Sequence, residues 1–341
     1  KIVLPAVLTQ KTIDQLEEFI VKPTTEHLFY KPIKSIPNEI SPIQRGSLAK
    51  KYREMITKKL RPKYTELKKF LVEEYLPHSR VTSGFVDLPY GKETYDYLIR
   101  LHTTLNLSAD QIHELGKKEV KRILIEMEDA KNKIGFEGDI KAFFEYIRNS
   151  PEQMPFKNPN EVIDNFNSIK EKINKKFNET FELSPKASFI VKRTEAFREA
   201  SASAEYVPGT KDAKRPGIFY VPIPDISKYN KFSDEALFLH EAIPGHHYQL
   251  SLQQENKDLP EFLHPESMGV FVEGWALYAE SLGKELGLYE DPIQYFGMLS
   301  MEMHRAIRLV VDTGIHSKGW TREKAILYSL ENEAASEESI I

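Results

Sequence analysis

The chain has 341 residues, with 47 Lys and Arg against 51 Asp and Glu, a formal net charge of −4 and no cysteine. So even a balance excludes nucleic-acid binding as its main purpose, because phosphate contact shows as an excess of Lys and Arg. The absence of cysteine excludes disulfides, thiolate nucleophiles and iron–sulfur clusters, so any metal must be held by His, Asp or Glu.

No apolar run approaches the roughly 18–20 residues that cross a bilayer, so no transmembrane segment is expected, and no signal-peptide pattern follows Lys1. Residue 1 is not Met, and residues 331–341 stop inside a helix-like pattern, so the chain reads as a piece of a longer protein. Residues 11–20 and 47–75 interleave Lys and Glu with Leu, Ile, Phe and Tyr at helical spacing, and Pro62 splits or kinks the second run. Pro77 and residues 84–91 form a break, followed by a helix over 94–101. Ser108 and Gln111 form a capping box that opens a helix reaching about Lys133, with Ile112, Leu115, Val120, Ile123 and Met127 on its core face and Gly135 as its stop.

Shorter helices are predicted over 140–148 and, past Pro155 and Pro159, over 161–181. Residues 187–192 and 218–221 are β-branched and aromatic and read as strands. A polar loop over 201–217 joins them, with Pro-Gly turns at 208–209 and 216–217. Beyond Pro224 the pattern is helical almost to the end, with Ser233 as N-cap of the helix that carries His240. The fold class is therefore mainly α with one small sheet, organised as a helical region over 1–182 and a metal-binding region over 183–341.

The chemistry centres on His240-Glu241-Ala242-Ile243-Pro244-Gly245-His246-His247. In a zinc-peptidase helix, His-Glu-x-x-His puts two imidazoles on one face, with the Glu beside a bound water. Here Pro244 holds the second imidazole's position. Pro costs about 3 kcal/mol inside a helix and Gly about 1, so the helix must distort. On a regular helix His246 would lie about 240° around from His240 and about 9 Å further along. Sharing a metal requires the turn to widen by two residues, which Pro-Gly permits. His247 competes, since i+7 returns to nearly the same face, but helical side chains lean toward the N-terminus and would carry His240 away from it. A solvated helix face is the bland alternative. The mixed-to-apolar stretch 232–239 argues against it, as does the placing of six of the ten histidines (240, 246, 247, 264, 304, 316) in the last third.

Glu273 is the candidate third ligand. It lies in an apolar stretch before Gly274, whose missing side chain would admit a neighbouring helix, and a buried carboxylate must be paired or metal-bound. Phe271, Trp275, Tyr278, Ala279 and Leu282 read as a core stripe. Glu280 is either an acceptor for a ligand histidine's other N–H or an exposed charge. His304, Arg308, Asp312 and His316 recur every four residues, as a polar ribbon facing a site or as simple surface pairing of Arg308 with Asp312.

These blocks, His240-Glu241-x-x-Pro244-Gly245-His246-His247 with Gln249, Glu273-Gly274-Trp275-Ala276-x-Tyr278-x-Glu280 and the run from Arg308 to His316, resemble the bacterial "domain of unknown function 885" family. Arg215-Pro216-Gly217-x-Phe219-Tyr220-Val221, Tyr75-Leu76-Pro77 and Glu119-Val120-x-Arg122-Ile123 match it too. The resemblance implies a zincin-like helical metallopeptidase, related in plan to the thimet oligopeptidase and carboxypeptidase group, with Zn2+ held by two His and one Glu. It also implies a chain longer at both ends, and some relatives are exported or lipoprotein-like.

The expectation that follows is hydrolysis of a peptide substrate, with His240, His246 and Glu273 on zinc and Glu241 as general base. Tyr220, Tyr278, Arg308 or His316 would face the oxyanion. Tyr206, Arg215 and the strand 218–221 would hold an extended peptide by edge pairing, with Arg215 either meeting a substrate carboxylate or ordering its own loop. The alternatives are a non-catalytic peptide- or partner-binding scaffold and a metal-dependent amidase or esterase acting on something other than a peptide.

Overall fold

The computed structural model describes residues 2–195, 198–199, 202–264 and 268–341. Two compact units, Lys1–Gly91 and Lys92–Ile341, divide the chain. Their boundary falls at the end of the break expected over 84–91.

The first unit holds α1 (Ala6–Val21), α2 (Lys31–Lys34), α3 (Pro42–Met55) and α4 (Arg61–Phe70). Pro62 does not split the helical run. A π turn over Ile56–Leu60 joins α3 to α4, and Pro62 sits in the first turn of α4, where a missing N–H costs least.

The second unit opens one residue into α5 (Gly91–Thr103) and continues with the long α6 (Ala109–Ile134). The predicted capping box forms: Ser108 Oγ accepts the Gln111 N–H at 3.2 Å and Gln111 Oε1 accepts the Ser108 N–H at 2.8 Å. Gly135 ends α6 in the left-handed conformation, φ 80°. Ile112, Val120, Ile123 and Met127 are buried as expected, but Leu115 is exposed. The centre of that face is Gly116, where a Cβ would fall 2.7 Å from Leu309 Cβ and 2.8 Å from Val310 Cγ2. The absent side chain lets α12 (Pro292–Lys318) lie directly against α6.

After α7 (Ile140–Asn149) and α8 (Pro159–Thr180) comes a three-stranded sheet of β1 (Phe189–Arg193), β2 (Glu205–Val207) and β3 (Gly217–Val221), in the order β1-β3-β2. β1 runs parallel to β3 and β2 antiparallel to it. The expected polar loop thus contains a strand, while its first residue, Ser201, lies outside the described residues. β3 is central, so it offers no free edge and the edge pairing expected at 218–221 is ruled out. β1 and β2 are the edge strands.

α9 (Asp234–Glu241), α10 (His246–Glu255), α11 (Gly269–Ser281), α13 (Arg322–Asn332) and α14 (Glu337–Ile340) complete the unit. Phe143, Phe166, Phe219, Phe238 and Phe296, from α7, α8, β3, α9 and α12, are fully buried in one core. Burying such aromatics stabilises by about 1.5–3 kcal/mol each. Ser233 makes no side-chain cap; Gln294 Oε1 accepts the Glu235 N–H instead, at 3.0 Å. Among the described residues, no helix is long and apolar enough to cross a membrane.

Candidate metal centre

The His240 helix is broken outright rather than widened. α9 ends at Glu241, Ala242 leaves helical geometry at φ −105°, ψ −109°, the Ile243–Pro244 peptide is cis, and α10 begins at His246. A Cβ on Gly245 would stand 1.9 Å from the His240 carbonyl oxygen and 2.2 Å from that of Leu239, so only glycine lets the new helix start this close to the old one. Trp275 donates its indole N–H to the Pro244 carbonyl at 2.6 Å and fixes the link to α11.

The break turns His246 back onto His240, ring centroids 4.6 Å apart and nearly perpendicular at 78°. Both Nε2 atoms face one carboxylate: His240 Nε2 is 3.4 Å from Glu273 Oε2, and His246 Nε2 is 3.7 Å from Glu273 Oε1. Glu241 lies beneath them, buried, with Oε2 lacking any hydrogen-bond partner. Burial pushes its carboxyl up to about 7; the negative Glu273 adds to this, while His240, Arg305 and a Tyr206 backbone N–H oppose it. Burial pulls the His240 imidazolium down, but hydrogen bonds to Glu273 and Glu280 outweigh it and hold the ring at about 9. For His246, burial and then the His240 charge push the ring down to about 4.

His247 points the other way. Its Nδ1 is hydrogen-bonded to the Tyr206 hydroxyl at 2.8 Å and the Ser251 hydroxyl at 3.3 Å, and its ring packs on Phe189 with centroids 4.6 Å apart. Of the two candidate second ligands, His246 is the one that shares a site with His240.

Glu280 is not an exposed charge. Its side chain is 1% exposed; Oε1 accepts from His240 Nδ1 at 2.7 Å and pairs as an ion with Arg305, whose Nη2 lies 3.3 Å away. The Nδ1 proton is thereby held away from the cleft, and Nε2 is the nitrogen that could hold a metal there. Arg305, which also donates to the Met301 carbonyl at 3.0 Å, was missed in the sequence. Met301, Arg305 and Arg308, at i, i+4 and i+7, form the face of α12 that lines the cleft.

Glu273 itself is at the mouth, with its side chain 65% exposed, and a Cβ on Gly274 would meet nothing within 4 Å. The expected close approach of another helix at Gly274 is therefore absent. The core stripe fails in part for the same reason: Phe271 and Tyr278 are 56% and 54% exposed. α11 buries only Ala276, Ala279 and Glu280.

The cleft has a volume of 490 Å³ and is lined by residues of β2 and of α9 to α12, among them Tyr206, His240, Glu241, His246, Glu273 and Arg308. Tyr278 lies outside this lining and packs against Trp275, with the two rings tilted by 55°. Tyr220 is on the opposite face of β3 from Phe219, under the Arg198 guanidinium at 4.8 Å. Arg215 donates to the Pro208 carbonyl at 2.8 Å and ties down its own loop. His316 lies about 12 Å beyond Arg308 along α12, beside Tyr95 and with Nε2 4.0 Å from Asp312. His304 bonds Glu333 Oε2 at 2.8 Å. Of the polar ribbon, only Arg308 reaches the cleft.

The donor set fits a divalent cation. Ligand atoms of His240, Glu241 and His246 lie within 4.8 Å of one another. His240 Nε2 and His246 Nε2, at 3.4 and 3.7 Å from the two Glu273 oxygens, are inside the roughly 4.4 Å that two atoms bound to one ion at about 2.0–2.2 Å can span. His246 has no hydrogen bond at Nδ1, and 3.7 Å to Glu273 is too long for one at Nε2. Two imidazoles with carboxylates and no thiolate suit zinc or a similar borderline ion.

A family model described as "Bacterial protein of unknown function (DUF885)" matches residues 1–341. The chain belongs to the DUF885 family. Among solved structures, this DUF885 chain is similar to "the putative lipoprotein from Colwellia psychrerythraea", with TM-score 0.90 and 29% identity over 99% of this chain and 59% of that one. It also shares its fold with "a putative lipoprotein of unknown function from Shewanella oneidensis", with TM-score 0.63 and 19% identity over 98% of this chain and 62% of that one. The chain thus spans about three fifths of each. No curated protein matches it.

Proposed function

We propose that the cleft is the active site of a metal-dependent hydrolase of zincin-like plan that cleaves peptide bonds, with His240, His246 and Glu273 holding Zn2+. The observation that carries this reading is the facing of two buried imidazole Nε2 atoms toward the two oxygens of one carboxylate, above a buried carboxyl with an unpartnered oxygen. Zinc held in this way makes water acidic near neutrality and polarises a carbonyl.

Glu241 is the general base. Its carboxyl, raised to about 7, takes a proton at Oε2 near neutral pH and returns it to the leaving amine. Glu280 and Arg305 are positioning residues that fix the His240 ring through Nδ1. The peptide backbone lies along β2, which pairs only with β3 among the described residues and whose residues line the cleft. Tyr206 is part of that wall, but its hydroxyl is engaged by His247. Of the four candidate oxyanion donors, Arg308 alone lines the cleft.

The test is digestion of a peptide library by zinc-loaded protein, with and without chelator. Chelator-sensitive cleavage that zinc restores is expected; zinc binding with no cleavage of any peptide would sink the reading. We also infer a place at the bacterial cell envelope from the lipoprotein description of both similar structures. Cell fractionation that finds the native protein only in the cytoplasm would overturn this.

A further inference from the structure

Arg308 lines the cleft and has no hydrogen-bond or ion-pair partner among the described residues. Apart from Glu241, whose Oε2 is unpartnered, the other charged groups of the lining have partners. Arg305 is held by Glu280 and the Met301 carbonyl, Glu205 by Arg198, and Glu273 by the two histidines. The partner expected for Arg308 on its own helix, Asp312, accepts instead from the Tyr95 hydroxyl and approaches His316. Arg215, the guanidinium expected to meet a substrate carboxylate, is bound to the Pro208 carbonyl. One guanidinium is therefore left facing the cleft, with its planar fork of donors unused.

We propose that Arg308 anchors a carboxylate of the substrate one to two residues from the bond that is cut, so that the protein selects peptides bearing a free carboxylate there. Arg305 and Arg308 are separated by about 4.5 Å along α12, little more than one extended residue. Arg305 Nη2 is 3.3 Å from His240 Nδ1, so α12 passes directly behind the metal ligands at this point. A guanidinium matches a carboxylate with two parallel N–H···O bonds, a geometry that neither an amide nor a hydroxyl reproduces. The α-carboxylate of a short peptide and the side chain of Asp or Glu present the same group. The inference rests on the hydrolase reading for its substrate class.

The experiment measures binding to the full-length Glu241→Gln chain loaded with zinc, by fluorescence anisotropy, of one labelled peptide in three forms. These are the free acid with neutral side chains, its C-terminal amide, and the amide with Glu next to the C-terminus. At least one carboxylate-bearing form should bind about tenfold or more tighter than the neutral amide. Arg308→Ala should bring all three within about threefold of each other, and Arg308→Lys should keep part of the difference. A preference for the free acid alone assigns the α-carboxylate, and equal preference for the Glu amide admits the side chain. Equal binding of all three forms, or discrimination that survives Arg308→Ala, overturns the anchor. So does an Arg308→Ala chain, with Glu241 intact, whose kcat falls alike on acid and amide with KM unmoved, because that is how an oxyanion donor behaves. If discrimination depends on Arg308 while the wild type cuts nothing, the anchor stands and the hydrolase reading falls.

Discussion

The two sides of α10 carry adjacent histidines in opposite surroundings. On the sheet side, His247 is buried with Nδ1 hydrogen-bonded to Tyr206 and Ser251 and its ring packed on Phe189. On the cleft side, His246 is equally buried but has no hydrogen bond at Nδ1, and Glu241 and Glu280 beside His240 each have one oxygen without a partner. Among the described residues, eight buried side-chain atoms lack a partner, and these three cluster around one imidazole. Each such atom costs about 1–3 kcal/mol; Glu241 and His246 line the cleft, while Glu280 holds His240 from behind it. The sheet side is packed and paired scaffold, and the cleft side is where the proposed chemistry falls.

The largest expected effect breaks the chemistry without touching the scaffold. Glu241→Gln should lower peptide hydrolysis by about 10²–10⁴-fold while zinc content stays at that of the wild type, measured by elemental analysis beside a peptide-cleavage assay. Surviving activity with bound zinc would remove Glu241 from the role of base. Next is the histidine pair itself. His246→Ala should weaken zinc binding by more than the roughly 10–100-fold typical of an outer partner's loss, whereas His247→Ala should leave stoichiometry unchanged. The reverse pattern, read by competition with a chelating dye, would invert the comparison. Glu280→Gln comes third, at about 10–100-fold in zinc affinity, because His240 would lose the charged acceptor that sets its ring and tautomer.

Much of this was legible in the residues. The capping box at Ser108 and Gln111 located α6 to within a residue, because both capping bonds are local and leave a fixed spacing in the chain. The preference for His246 over His247 followed from the lean of helical side chains toward the N-terminus, although the widened turn it called for proved to be two separate helices. What stayed hidden depends on neighbours distant in sequence. β2 is three residues long with one buried side chain, so its pairing with β3 rather than any alternation makes it a strand. Period 3.6 marks an apolar face on α11 but not what covers it, and Phe271 and Tyr278 are exposed. Arg305 was lost because a four-residue repeat counted from His304 passes one position beside it, about 100° around α12. Stepping by four and then three from Met301, as a 3.6-residue period does, reaches Arg305 and Arg308 together.

The smallest expected effect falls on the scaffold and is the sharpest check on its separation from the chemistry. His247→Phe keeps an aromatic ring against Phe189 but removes the nitrogen that pairs with the Tyr206 and Ser251 hydroxyls, leaving these buried groups short of a partner. The cost should be about 1–3 kcal/mol of stability, seen as a lower urea midpoint, with zinc stoichiometry unchanged. Tyr206→Phe should cost a similar amount, and the double variant less than the sum, since the two changes remove one shared bond. If His247→Phe instead sheds zinc at full stability, the sheet side of α10 is not scaffold, and the division between adjacent histidines fails at its simpler end.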